Sequence, residues 1–217
     1  MNRGDHRETL FHKPGDFRAF LAAVTATALC VPMRILAYCI MRNHFHLLLW
    51  PEIGADLPEF MQLLMNKHIR GYLRHYPPTS PGHLYQGRYT NSLVEGGKSF
   101  LAVARYVEAN ALTAGIVKRA QDYPWSSASP FANDPERPVL AEWPVPKPHD
   151  WGTYLNLRAP KSERERIQAS ASRGAPYGSD DWVQRVVKSY ELEHTLRKPG
   201  RPARNETLVV NGAQAVL

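Results

Sequence analysis

His44 and His46 stand inside an apolar run, YCIMRNHFHLLLW, from Tyr38 to Trp50. In an extended strand, residues two apart point to the same face. The two imidazoles therefore share one face, and Phe45, Leu47 and Leu49 share the other. Two neutral imidazoles side by side are the beginnings of a divalent-metal site. Taken alone, such a pair is more often two strand histidines that are hydrogen-bonded or partly exposed. A second constellation shifts the balance. In ARYVEANAL, Ala104–Leu112, Tyr106 and Asn110 are four residues apart on a predicted helix, so they lie on one face about a turn apart. If that face meets the histidine side, two imidazoles, an amide oxygen and a phenol come together. An amide oxygen is a reasonable third ligand for Mg²⁺ or Mn²⁺, and the set leaves positions open. A phenol beside an open metal site is a candidate nucleophile. Free tyrosine ionises near pH 10, so it needs help from the metal or a base. Glu108 lies close by with no role legible from the sequence.

These residues depend on a predicted order α-β-β-α-β-α over residues 14–117. Asp16 is the expected N-cap of a helix over Phe17–Val31, which Pro32 ends. Arg34–Met41 and His44–Trp50 read as two strands joined at Arg42-Asn43, a β-hairpin. Leu57–Tyr76 has apolar residues at helical period. Gly87–Glu95 reads as a strand, and Lys98–Leu112 as the helix that carries Tyr106 and Asn110. The fold class is α+β, a ferredoxin-like antiparallel sheet with helices on one face. After Phe131 the composition changes. Asn133–Asp150 is rich in proline and reads as an extended linker. Helices are expected over Lys161–Ser172 and Ser179–Leu192, then a basic, proline-containing tail. The predicted division is a domain over 1–132 and a C-terminal extension over 133–217.

The 217-residue chain carries a net charge of +7. Its sequence pI is about 9.5. A basic balance favours a polyanionic partner. A hydrophobic content of 43% is enough for a packed core. No apolar run is long enough to span a membrane, and the polar N-terminus is not a secretory signal. Cys30 and Cys39 form no metal-type spacing. A reducing cytoplasm, in association with the nucleoid, is the expected location.

His44-Phe45-His46 resembles the His-hydrophobic-His (HUH) motif of single-tyrosine nucleases and transposases. The run from Asn2 to Phe131 resembles the REP-associated tyrosine transposases, relatives of the single-tyrosine insertion-sequence transposases. Four ordered segments carry the likeness: YCIMRNHFHLLL, LYQGRYTNSLV (Leu84–Val94), RYVEANALTAGIV (Arg105–Val117) and DYPWSSASPF (Asp122–Phe131). The resemblance implies that His44, His46 and Asn110 bind a divalent metal, Mg²⁺ or Mn²⁺. It implies that Tyr106 attacks a phosphorus of single-stranded DNA, leaving a 5′-phosphotyrosine and a free 3′-hydroxyl. The implied substrate is a hairpin-forming palindrome with flanking single-stranded nucleotides, and the implied state is a monomer or homodimer. The chain departs from the family pattern in three places. The strand that precedes the Arg-Gly segment, here Asn2-Arg3-Gly4, is expected to lie upstream of Met1, to be lost, or to be replaced by Phe11 and its neighbours. Arg42 replaces a proline before Asn43-His44. Ala111 replaces the proline after Asn110, which is expected to let the tyrosine helix run on.

Further DNA contacts are expected from Arg42, from the stripe Lys67, Arg70 and Arg74, from Arg88 beside Tyr89 as a stacking ring, and from Arg201 in a tail resembling an AT-hook. Each also fits an ordinary solvated surface. Two rivals differ in class or chemistry. A relaxase or replication initiator shares HUH, but no second tyrosine lies near Tyr106. A catalytically decayed hairpin-binding protein would hold DNA without cutting it.

Overall fold

The hairpin that carries the two histidines forms as its pattern predicts. β2 (Met33–Met41) and β3 (His44–Pro51) pair antiparallel around Arg42-Asn43, with Met41 opposite His44 and Cys39 opposite His46. A bulge near Leu36 shifts the register between Ile35 and Ala37, so that Ile35, Tyr38 and Ile40 face one way and Leu36, Cys39 and Met41 the other. In this computed structural model, residues 1–51, 56–77, 82–133 and 135–197 are described. A two-residue strand, β1 (Asn2–Arg3), pairs antiparallel with β3 and sets Arg3 opposite His44. The sheet order is β1-β3-β2.

α1 (Pro14–Cys30) and α2 (Asp56–His75) cover one face. Phe17, Phe20, Leu21 and Val24 from α1 meet Phe60, Met61 and Leu64 from α2 over Tyr38, Ile40 and Phe45. Asp16 is not the N-cap of α1. It lies in the first turn, where its carboxylate accepts from the backbone N–H groups of His12 and Lys13 at 2.8 and 3.1 Å. Proline at the first helical position explains the earlier start: its fixed φ suits the helix and its missing N–H costs no bond.

The opposite face is covered as well, so helices flank both sides of the sheet and not one. α3 (Lys98–Glu108) lies across Leu36, Cys39, Met41 and Leu48. Trp151 and Leu155 of α5 (Trp151–Asn156) and Ile167 of α6 (Lys161–Arg173) join the same apolar cluster from the extension. The expected linker is extended but packed. Leu140 bridges to Ile35 in parallel, Ala141 N–H donates to Ile35 C=O at 2.9 Å, and the Trp143 indole donates to Leu36 C=O at 2.9 Å. Residues 125–127 cover the rest of that edge: Ile40 N–H donates to Trp125 C=O and Ser127 N–H to Tyr38 C=O, both at 2.9 Å. The outer edge of β2 is thereby hidden from pairing with another chain.

Two further sequence expectations are corrected. Gly87–Glu95 is not a regular strand. Its neighbourhood meets the chain around β1 through a Gly4–Tyr85 bridge and scattered bonds, among them Gln86 N–H to Arg3 C=O, Thr90 N–H to Met1 C=O, the Met1 amine to Thr90 C=O and the Asn2 amide to Gly87 C=O. A two-residue β1 is too short a template for a ladder. The tyrosine helix is also interrupted. α3 ends at Glu108, Ala109 takes φ −89° and ψ 12°, and α4 (Asn110–Thr113) resumes the turn. Ser126 Oγ donates to the Glu108 carbonyl at 3.2 Å, taking an acceptor that a continuous helix would use itself. In the extension, α6 ends at left-handed Gly174, and α7 (Asp180–Ser189) follows Ser179 as N-cap. α8 (Glu193–Leu196) closes the described chain. No helix among the described residues is long and apolar enough to cross a membrane.

Candidate active site on the tyrosine-helix face

Strand alternation puts His44, His46 and Leu48 on the face that α3 covers. The imidazole centroids of His44 and His46 are 5.2 Å apart, edge to face. The Tyr106 ring meets His46 edge-on at 5.5 Å. Asn110 Nδ2 lies 3.4 Å from His46 Nε2. The four residues singled out by spacing therefore converge across the sheet–helix interface, despite the break at Ala109.

The turn before His44 orients it. His44 Nδ1 lies 2.7 Å from Asn43 Oδ1, an acceptor, so Nδ1 carries the proton and Nε2 keeps its lone pair. Asn43 is held in turn: its side-chain amide donates to Arg7 C=O at 3.1 Å, and its backbone carbonyl accepts from Gly4 N–H at 2.9 Å. Gly4 has no room for a side chain, because a Cβ there would stand 2.5 Å from Glu8 O. This chain of contacts ties Arg3 and His44 to one another through backbone.

Burial keeps both imidazoles neutral. It pulls His44 down to about 4, helped by the nearby Arg3 charge and opposed by a hydrogen bond to Asn110. Burial and the neighbouring His44 push His46 well below its usual range. Neutral imidazoles are the metal-binding form. The donor set fits a divalent ion: His44 keeps Nδ1 on Asn43 and leaves Nε2 as its lone-pair donor, His46 directs Nε2 toward Asn110, and turning over that amide presents Oδ1 in place of Nδ2. Among the described residues, no group of three or more His, Cys, Asp or Glu is placed to hold a metal, so an ion here relies on the amide.

Tyr106 is half-buried, and burial raises its phenol above the usual range, while Arg3 and Arg164 pull the other way. Arg3 comes from β1 and Arg164 from α6, so cations approach the phenol from both ends of the chain. Neither stood out in the sequence beyond the Arg-Gly segment. Nothing in the local pattern around Arg164 signals its place beside a tyrosine 58 residues earlier.

Glu108 acquires a role. Its side chain is 1% exposed, its Oε1 accepts from Ser127 Oγ and its Oε2 from the Trp151 indole, both at 2.7 Å. It fastens the end of α3, between Tyr106 and Asn110, to residues 126–127 and to α5. Arg105 is buried and paired with Glu163, its guanidinium 4.3 Å from the Tyr154 ring centroid.

The expected DNA-contact residues are scattered. Arg42 is exposed in the turn before Asn43 and His44. Arg88 is exposed in the segment beside β1, but Tyr89 packs against the α1–α2 cluster and is not a free stacking surface. Lys67, Arg70 and Arg74 lie on α2, which covers the face opposite Tyr106. Arg201 lies outside the described residues.

The family described as "Transposase IS200 like" matches residues 2–110, which take in His44, His46, Tyr106 and Asn110. A solved structure described as "Structure of the REP associates tyrosine transposase bound to a REP hairpin" is similar at 17% identity and a TM-score of 0.48, over 58% of this chain and 72% of that chain. No curated protein matches the sequence.

Proposed function

Because the chain belongs to the IS200-like transposase family, we propose that it cuts and rejoins single-stranded DNA at hairpin-forming repeats, in the manner of the REP-associated tyrosine transposases. The observation that carries this reading is the convergence of Tyr106 with His44, His46 and Asn110 on one face of the sheet. Tyr106 Oη attacks the scissile phosphorus. The bond from phosphorus to the 3′ oxygen breaks, leaving a 5′-phosphotyrosine and a 3′-hydroxyl. The phenolic proton leaves and the departing oxygen takes one up, so the step is redox-neutral. The phosphodiester energy is kept in the new ester, and the 3′-hydroxyl of the same or another strand can reverse the reaction without ATP.

A divalent ion, Mg²⁺ or Mn²⁺, held by His44, His46 and Asn110, would supply charge neutralisation at the scissile phosphate. The protein's own residues do the rest. Asn43 holds the His44 ring. Arg3 supplies a fixed positive charge beside both the histidines and the phenol, favouring the phosphate on arrival and the phenolate as it forms. Glu108 holds the helix end from which Tyr106 and Asn110 project.

The test uses Mn²⁺ and labelled single-stranded hairpin DNA taken from repeats beside the gene. A covalent protein–DNA adduct is expected on a denaturing gel, lost with EDTA and in Tyr106→Phe, while hairpin binding by Tyr106→Phe stays within about twofold of wild type. If the wild-type protein binds the hairpin and forms no adduct, the reading as a non-cleaving hairpin-binding protein replaces this one.

A further inference from the structure

The C-terminal extension makes the far wall of a cavity that opens beside Tyr106. The space is about 320 Å³, within the lower range of pockets that take small ligands. Ala109 and Leu112 on the tyrosine helix and Leu155 on α5 give it an apolar floor. Tyr106, Arg158 and Arg164 line it as well. Arg105 and Glu163 also reach this space but are committed to one another, pinning α6 against α3. Arg158 and Arg164 make no ion pair or side-chain hydrogen bond among the described residues, and the Arg164 Nε is buried with no partner.

Resting on the proposed nuclease reading, we infer that this cavity receives one nucleotide of the single strand flanking the scissile phosphate, its base on the apolar floor and its phosphate on Arg158 and Arg164. An apolar floor beside two uncommitted cations is the pattern of a site for a nucleobase and its phosphate. A purely apolar occupant would leave the arginine side of the cavity unmatched. The attacking phenol lines the same space, so its occupant adjoins the reacting phosphate. The extension is on this view part of the substrate site, and the flanking nucleotides are read by a wall outside the family-matched residues 2–110.

The experiment measures binding of fluorescein-labelled hairpin DNA by the full chain in EDTA, so that nothing is cut. The hairpins carry single-stranded overhangs, shortened one nucleotide at a time from the 5′ or the 3′ side. Arg158→Ala with Arg164→Ala is expected to weaken overhang-bearing DNA about tenfold and a blunt hairpin less than twofold. The slope of log K against log salt should fall by about 0.7, the value for one phosphate of a single strand. One overhang nucleotide, on one side only, should cost the wild type about tenfold and the double variant nothing. Arg164→Lys should recover most of the loss. Arg158→Ala alone, at an exposed position between α5 and α6, should cost about threefold and covers the case in which the double variant does not fold. Equal effects on blunt and overhang DNA, or no effect on either, overturn the inference while a Tyr106 adduct leaves the nuclease reading standing. A wild type that neither binds hairpins nor forms the adduct overturns both.

Discussion

On the proposed reading Tyr106 ionises as it attacks, yet burial opposes ionisation. Arg3 is the cation that this site supplies from the sheet, and Arg3→Ala is expected to lower the rate of adduct formation by one to two orders of magnitude, read by single-turnover kinetics at several pH values. Its signature is a larger deficit at low pH than at high pH, since hydroxide can replace the lost help in ionising the phenol. His68 makes a second prediction at this scale, away from the site. It is buried against Phe11 and Phe20, bonded to the Tyr85 hydroxyl, and pulled down to about 4 by burial. Between that value and the ordinary 6.5, the unfolded chain binds the proton and the folded chain does not. Stability is therefore full above pH 6.5 and falls as pH drops, by about 1.4 kcal/mol per pH unit for each such histidine inside the window. Denaturant titrations from pH 7.5 to 4.5 should show a shallower fall for His68→Gln than for wild type; parallel curves would clear His68 of the effect.

The elements join through a few buried polar contacts, and Glu108 is the one that fixes the tyrosine helix. Glu108→Ala would leave the Trp151 indole and the Ser127 hydroxyl as buried donors without an acceptor, a loss of about 3 kcal/mol or more. A double-mutant cycle with Trp151→Phe in urea should give a coupling of about 1–2 kcal/mol; additivity within 0.3 kcal/mol would mean the pair does not hold the helix end. The same elements show what a sequence can reveal. The hairpin, α1, α2, α6 and α7 were legible because period and punctuation are local, and the alternation in HFHLLLW was enough to put both histidines on one face. The strand expected at Gly87–Glu95 failed because a strand needs a partner, and β1 supplies two residues. The break at Ala109 was invisible because the contact beside it comes from Ser126, far along the chain. Glu108, Arg3 and Arg164 gained their roles only through neighbours that no local pattern announces.

At the scale of the molecule, the sheet is enclosed on both faces, and the extension is one of the enclosures. Trp151, Leu155 and Ile167 cover apolar residues of α3 that residues 1–132 alone would expose. A chain stopped after residue 132 is therefore expected to aggregate or to unfold without a cooperative transition, measured by size-exclusion chromatography and thermal melting. A truncated protein that stays monomeric and melts sharply would show the first segment to be self-sufficient. The net charge of +7 adds a long-range pull toward DNA that weakens with salt, whereas the ordering of Tyr106 by buried neighbours does not.

The dependence of α3 on residues far downstream also sets a timetable. The carboxylate of Glu108 waits for Trp151, and Arg105 waits for Glu163. On the ribosome, the hairpin with its histidines can close as soon as β3 emerges, but the tyrosine helix finds its final seat only after α5 and α6 have left the exit tunnel. A nascent chain therefore carries Tyr106 and the two histidines for much of its synthesis before the contacts that seat the helix bearing Tyr106 can form, and on the proposed reading its cutting activity is expected to appear only once α6 has docked.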